Sequence, residues 1–207
     1  MRICLLLVAL FLLTGCLPYE TSPSKSDTPG RPTVPSLHTE TKALVSDVVL
    51  YEVPSGLRNS RPHAIDISTL EVWKIERVVD GDTLIVRKDG QRDRLRLLGI
   101  DAPESSSNPD VNRQTEEGDI VSDLVKSLVT GRDVYVEFDK AVRDQYGRLL
   151  AYIWLDEDVM LNESLVFSGL VDVVRFPPNT AYYRYFLQLK EEAMQRELGF
   201  FADVWKR

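Results

Sequence analysis

Residues 70–104 read LEVWKIERVVDGDTLIVRKDGQRDRLRLLGIDAPE, and the fold turns on how this stretch divides. Leu70 to Val79 is rich in Val, Ile and Trp, residues that suit a pleated, half-buried surface, and reads as a strand. Thr83 to Arg87 is a second strand, and Lys88-Asp89-Gly90 then supplies an Asp-Gly turn, a strong hairpin signal. Arg92 to Ile100 is the third strand. Three strands joined this tightly predict an antiparallel meander at the start of a domain.

Further along, the period changes. From Gln114 to Val129, apolar residues fall at Ile120, Val121, Leu124, Val125 and Leu128, the spacing of a helix. Asp133 to Phe138 and Arg148 to Leu155 read as two more strands. Met160 to Phe167 reads as a short helix with Gly169 placed to end it. Thr180 is a suitable N-cap for a last helix from Ala181 to about Leu198, before Gly199. The order is three strands, helix, two strands, helix, helix. It predicts a mainly β fold with helices, a five-stranded OB-fold barrel with about three helices packed outside. A sandwich would require more strands, and a parallel α/β sheet a helix between most of them.

The N-terminus carries a different message. After Met1-Arg2, Ile3 to Leu13 is an apolar run too short to span a bilayer but suited to a secretory signal. It ends in Leu13-Thr14-Gly15-Cys16, which resembles the lipobox of bacterial lipoproteins. That resemblance implies a signal peptide over residues 1–15, lipid on Cys16, and an exported protein held at a membrane of the cell envelope. The plainer alternative is an ordinary secretory signal with a chance cysteine. The chain has two cysteines, Cys4 and Cys16, so the rest has no disulfide; by cysteine count alone it would pass for cytosolic, and the leader overrules that. Leu17 to about Leu37 is rich in Pro, Ser, Thr and Gly, and Pro54, Gly56, Asn59 and Pro62 interrupt the segment before Ser68. Residues 16–68 therefore read as a lipidated cysteine and flexible tether, with a coil span of roughly 40 Å. The domain is expected at 69–207.

Three polar stretches concentrate the chemistry: Val78-Val79-Asp80-Gly81-Asp82-Thr83, Arg96-Leu97-Leu98-Gly99-Ile100-Asp101-Ala102-Pro103-Glu104, and Asp144-Gln145-Tyr146-Gly147-Arg148-Leu149-Leu150-Ala151-Tyr152. Each alone has a plain reading. The first is a hairpin whose Asp and Gly satisfy the turn, the second a strand exit at Asp and Pro, the third a tight turn before a surface arginine. In this order and strand context they resemble the staphylococcal nuclease family. The likeness runs from about Val72 to Trp205 and includes Val136-Glu137-Phe138-Asp139-Lys140, Leu161 to Val166, and Gly169-Leu170.

The resemblance implies a calcium-dependent endonuclease that hydrolyses phosphodiester bonds of DNA and RNA to 3′-phosphate ends. It implies Asp82 and Asp101 as carboxylate ligands of Ca²⁺, the Ala102 backbone carbonyl as a third, and Asp80 in the outer shell. Calcium takes six to eight oxygens, so water would complete the set, and Pro103 biases Ala102 toward an extended conformation that helps aim its carbonyl. By the same likeness Glu104 is the general base, Arg96 and Arg148 grip phosphate oxygens, and Tyr146 binds a phosphate or lines the nucleotide pocket. Guanidinium suits this work because its donors form a fixed, permanently charged fork. Where the family's best-known member carries two tyrosines around the base, this chain has Val173 and Arg175, with Phe176, Tyr182 and Tyr183 nearby.

Geometry adds a constraint. Arg96 and Asp101 are five residues apart and would face opposite ways on a straight strand. They can share a site only if the strand bends, and Gly99 is the expected place. The remaining features read as ordinary. Trp73, Trp154 and the segment Phe200 to Trp205 are expected to pack in the core, Asp156-Glu157-Asp158 to form a solvated turn, and the polar loop Ser105 to Asn112 to order when substrate binds. His38 and His63 are expected outside the domain, leaving no histidine base or zinc site.

The formal net charge of −7 is the wrong sign for a protein that passively coats DNA. Substrate capture must rely on a local basic site or a bound cation. Two other classes remain open, a binding module that keeps the barrel without catalysis and a structural surface lipoprotein. The first should lack part of the charged set, all of which is present here. A monomer with nucleic acid as its partner, and no obligate protein partner, is the expectation.

Overall fold

The computed structural model describes residues 48–202. The leader, Cys16, most of the expected tether and the terminal Val204 and Trp205 lie outside the described residues. Strands β1 (Glu71–Asp80), β2 (Thr83–Lys88), β3 (Gln91–Leu97), β5 (Asp133–Arg143) and β6 (Leu149–Trp154) close a barrel in the order β1-β2-β3-β6-β5. Two-residue strands β4 (Ile100–Asp101) and β7 (Asp172–Val173) pair antiparallel beside it. Helices α2 (Glu116–Val129), α3 (Leu161–Phe167) and α4 (Tyr183–Gln195) lie outside the barrel, and a four-residue helix, α1 (Ser55–Arg58), precedes it.

Local chemistry accounts for the joints. Lys88 pairs with Gln91, and the residues between them, Asp89 and Gly90, have φ of 50° and 80°, the left-handed pair that a two-residue hairpin needs. Thr115 caps α2 by accepting from the Gly118 N–H at 3.0 Å. The helix then buries Ile120, Val121, Leu124, Val125 and Val129, while Leu128 is half-buried. All of β6 is buried. Trp154 lies in the core as expected, whereas Trp73 is half-buried with its indole N–H on Glu71 at 2.9 Å.

The last helix starts later than the sequence suggested. Thr180 caps nothing with its side chain; its carbonyl accepts from Tyr183, and α4 begins there. The intervening Tyr182 is fully buried against Tyr152 and Phe186, with centroids 4.6 and 5.8 Å away, so tertiary packing sets the start of the helix.

The expected tether ran too far. Residues 48–68 pack on the domain, with Val53 and Ile67 in the core and the Tyr51 N–H on Ser168 Oγ at 2.7 Å. The Arg61 guanidinium lies 4.8 Å over the Trp154 ring and pairs with Glu163, whose carboxylate also accepts from Tyr185 Oη at 3.1 Å. His63 is likewise inside the domain, where its Nε2 meets Glu137 Oε1 at 2.9 Å. Glu137 also accepts from Trp154 Nε1 at 2.7 Å and from Tyr182 Oη at 3.1 Å. The physical reason is that Glu137 and Glu163 are buried, and a buried carboxylate demands partners. This burial, and then Glu137, push the Tyr182 phenol far above its ordinary value. The Asp156–Asp158 segment is a turn whose Asp158 carbonyl receives Arg58 and Arg61 at 3.1 and 2.6 Å.

Candidate active site

The bend anticipated between Arg96 and Asp101 exists. β3 stops at Leu97, Gly99 takes φ 78°, and the chain resumes as β4. Only glycine fits there, since an added Cβ would stand 2.9 Å from the Phe186 ring. The kink leaves the Leu98 carbonyl outside the ladder, and buried Asn162 satisfies it at 2.9 Å while accepting from the Ile153 N–H at 3.0 Å. As a result Arg96 and Asp101 face one site.

Arg96 is buried and sits between two carboxylates. Its Nη2 lies 2.9 Å from Asp82 Oδ2 and 2.7 Å from Asp101 Oδ1, and Nη1 donates to the Leu97 and Ile100 carbonyls at 2.9 and 2.7 Å. Asp82, at the β1–β2 turn, also accepts from Thr83 Oγ1 at 2.9 Å and from the Ala102 N–H at 3.0 Å. That last bond ties the first motif to the second. Gly81 permits the approach, because a Cβ there would meet the Ala102 side chain at 2.7 Å.

Asp80, half-buried, accepts from the Gly81 N–H at 2.8 Å. Burial raises its pKa above the ordinary carboxylate range, against the Gly81 and Ser105 hydrogen bonds, and Asp82 and Glu104 add to the rise. Asp101 is also pushed up, first by burial, with Arg96 opposing and Asp82, Glu104 and Asp172 adding. The carboxylates therefore stand in one another's field, more negative charge than Arg96 alone offsets.

Glu104 follows β4. Its oxygens accept from Asn108 Nδ2 and Arg113 Nη2, each at 2.6 Å, and its carbonyl accepts from the Thr115 N–H at 2.8 Å. The loop at 105–113 is folded through its own bonds, including Ser106 N–H to Asp119 at 2.7 Å and Ser107 Oγ to the Val79 carbonyl at 2.8 Å. The expectation that it would wait for substrate to order is replaced by this arrangement. Asn108 and Arg113 escaped the sequence reading. A carboxylate followed by so many Ser, Asn and Asp residues was the available hint.

On the opposite wall, Asp144 shapes the turn before β6. Its Oδ1 accepts from the Tyr146 and Arg148 N–H groups, both at 2.9 Å, and its Oδ2 takes Arg148 Nε at 2.7 Å. The terminal nitrogens of Arg148 remain available to a ligand. Tyr146 is 75% exposed, with the Arg148 guanidinium 5.6 Å from its ring centre, a surface side chain rather than a packed one. Asp80, Asp82, Arg96, Asp101, Glu104 and Arg148 line one open cleft of about 350 Å³, together with Arg94, Asn108 and Phe176. The Phe176 ring lies 5.5 Å from the Arg96 guanidinium. Val173 is in strand pairing with Ile100 and Tyr182 is buried, which leaves Phe176 as the aromatic ring on this cleft.

Two guanidinium groups across a cleft from a set of carboxylates equip an enzyme to break phosphate esters with water, and a small barrel that carries them at one end is a nuclease fold. Sequence comparison agrees. The family model described as staphylococcal nuclease homologue matches residues 94–203. The chain is 38% identical to the thermonuclease of Staphylococcus intermedius over 165 residues, covering 80% of this chain and 94% of that protein. It is 39% identical to the thermonuclease of Staphylococcus hyicus over 136 residues (65% and 76%) and 35% identical to endonuclease YncB of Bacillus subtilis over 149 residues (70% and 67%). The chain belongs to the staphylococcal nuclease family and is a hydrolytic endonuclease.

Proposed function

We propose that this protein is an exported, calcium-dependent endonuclease that cuts DNA and RNA to leave 3′-phosphate ends. The observation that carries the reading is the placement of Arg96 Nη2 within 2.9 Å of both Asp82 and Asp101, on a cleft shared with Glu104 and Arg148. A binding module would have no use for that full set.

The residues present fit a calcium ion. Among the described residues no three His, Cys, Asp or Glu side chains converge into a ready-made metal cage. Asp82 and Asp101 would instead hold the cation with the Ala102 carbonyl and water, and Asp80 would stay outside, an all-oxygen set of the kind a hard cation takes. The mutual repulsion that lifts Asp80 and Asp101 is the field a cation would relieve. When bound, calcium would supply positive charge against the phosphate and the attacking oxygen.

The chain's own residues do the rest. Glu104 accepts the proton of a water that attacks phosphorus, and the bond from phosphorus to the 5′ oxygen breaks. Arg96 and Arg148 hold the non-bridging oxygens as charge grows on them, and Arg148 stands near enough to help the departing oxygen take a proton. Tyr146 adds a hydrogen bond to phosphate. Outside the site, the leader ending at Cys16 supports export and lipid anchoring at a membrane of the envelope, and the protein acts as a monomer on nucleic acid.

The full chain, incubated with single-stranded DNA in calcium and then in chelator, tests the reading. Digestion in calcium that ceases on chelation is the expected result. Digestion that survives chelation, or none in calcium, refutes it. Membrane fractionation of the wild type beside Cys16→Ser checks the anchor, with release of the variant expected.

A further inference from the structure

Strand β3 places Arg92, Arg94 and Arg96 at alternate positions, which share a face of the sheet. Their surroundings differ. Arg92 pairs with Glu76 at 3.0 Å, and Arg96 is held between Asp82 and Asp101. Arg94 is exposed and has no ion pair among the described residues. Acids are not scarce nearby, since Glu76 also takes Arg87 and Asp93 takes Arg143.

Arg94 also borders two hollows at once. One is the cleft with Asp82, Arg96 and Glu104. The other, about 300 Å³, is lined by Arg94, Tyr146, Gly147 and Arg148, with no acid on its wall. Arg94 and Arg148 border both. β3 and β6 run parallel with Leu95 beside Leu149, so one step back along both chains sets Arg94 next to Arg148, with strands about 4.8 Å apart. Two like charges are thus adjacent, and Asp144 answers only through the Arg148 Nε edge. The floor is fixed as well: Arg143 donates to the Gly147 carbonyl at 2.6 Å while paired with Asp93, the residue before Arg94.

We propose that Arg94, with Tyr146 at the far side, binds the phosphate next to the scissile one, so that the enzyme selects polynucleotides over substrates with a single phosphodiester. The inference rests on the reading of the cleft as a nuclease site. It supplies the local basic site that a chain of net charge −7 needs for a polyanion. An unpaired arginine, a second arginine, an exposed phenol and main chain make an anion site, and a repeating phosphate backbone is the anion that reaches it while its neighbour occupies the catalytic cleft.

The test compares wild type, Arg94→Gln and Arg92→Gln in calcium on a single-stranded 16-mer and on an aryl ester of a nucleoside phosphate with one phosphodiester. Arg94→Gln should lower kcat/KM on the 16-mer about tenfold, mostly through KM, in line with one lost charged hydrogen bond. Its loss on the ester should be at least five times smaller, and Arg92→Gln should not discriminate. The slope of log affinity against log salt for the 16-mer should fall by about 0.7, one single-strand phosphate contact. Equal losses on both substrates, or none on the 16-mer, overturn the proposal. If wild type cleaves neither substrate, the nuclease reading fails, and anisotropy binding of the 16-mer at low salt still decides this one. Arg94→Gln must weaken that binding about tenfold, and unchanged binding overturns it.

Discussion

Gly118→Ala is a one-carbon change on α2 that reaches the proposed base through the backbone. A Cβ on Gly118 would lie 2.1 Å from the Glu104 carbonyl oxygen, 2.3 Å from its carbon and 2.6 Å from the Ser105 nitrogen. Real Cβ contacts stop near 3.0 Å, so the separation must open by at least 0.9 Å, from 2.1 to 3.0. The atoms in the way are backbone, already held by Thr115 at 2.8 Å, so the displacement passes to Glu104 itself. A misplacement of about 1 Å in a reacting group can cost on the order of 10²-fold in rate. Stability should change little by comparison. Alanine gains about 1 kcal/mol over glycine in a helix, and overpacking costs about 1–3 kcal/mol, a net loss of roughly 0–2 kcal/mol. Single-turnover cleavage of single-stranded DNA in calcium, beside thermal unfolding, separates the two effects. We expect a rate lower by about 10²-fold in a protein that still melts cooperatively and still binds DNA. A folded variant that cuts at the wild-type rate would refute the assignment of Glu104 as a precisely placed base.

Glu104→Ala and Arg148→Ala should each lower kcat by at least about 10²-fold without unfolding the protein, and near-normal turnover in either would remove the role given to it. Arg61→Ala leaves the Glu163 carboxylate buried beside Tyr185 without its cation, which should cost about 3–5 kcal/mol in denaturant unfolding; a loss below about 1 kcal/mol would mean that residues 48–68 dock by apolar contact alone. The Arg143 hydrogen bond holds the Asp93 pKa below its ordinary value, so this pair adds stability above about pH 4 and loses it as pH falls through the depressed value. Arg143→Ala should therefore be less stable than wild type at pH 7, by about 1 kcal/mol or less for so exposed a pair, and should converge with it near pH 2. A gap that stays constant across that range contradicts the linkage.

The barrel was legible because its signals are local. The Asp89-Gly90 turn, the alternating strands and the helical spacing of α2 need only neighbours in sequence. The bend at Gly99 was legible for a different reason: a chemical demand, that Arg96 and Asp101 meet, admitted one place for it. Residues 48–68 were not legible. What holds them is Arg61 and His63 on Glu163 and Glu137, and in sequence those acids look like ordinary surface residues of a helix and a strand. Their burial is a property of the closed barrel. Thr180 failed as a cap for a similar reason, since the burial of Tyr182 outweighed local capping. The partners of Glu104 lie four and nine residues away across an irregular loop, where no periodic pattern exists to be read.

Arg96 also has a consequence for the order of events in the life of the molecule. Its guanidinium is a built-in counter-ion, present from translation onward, and it joins the two aspartates with no help from solution. The barrel end can therefore assemble in a medium poor in divalent ions. Calcium then arrives at a finished frame, and an enzyme that has lost it should resume work on resupply without passing through the unfolded state.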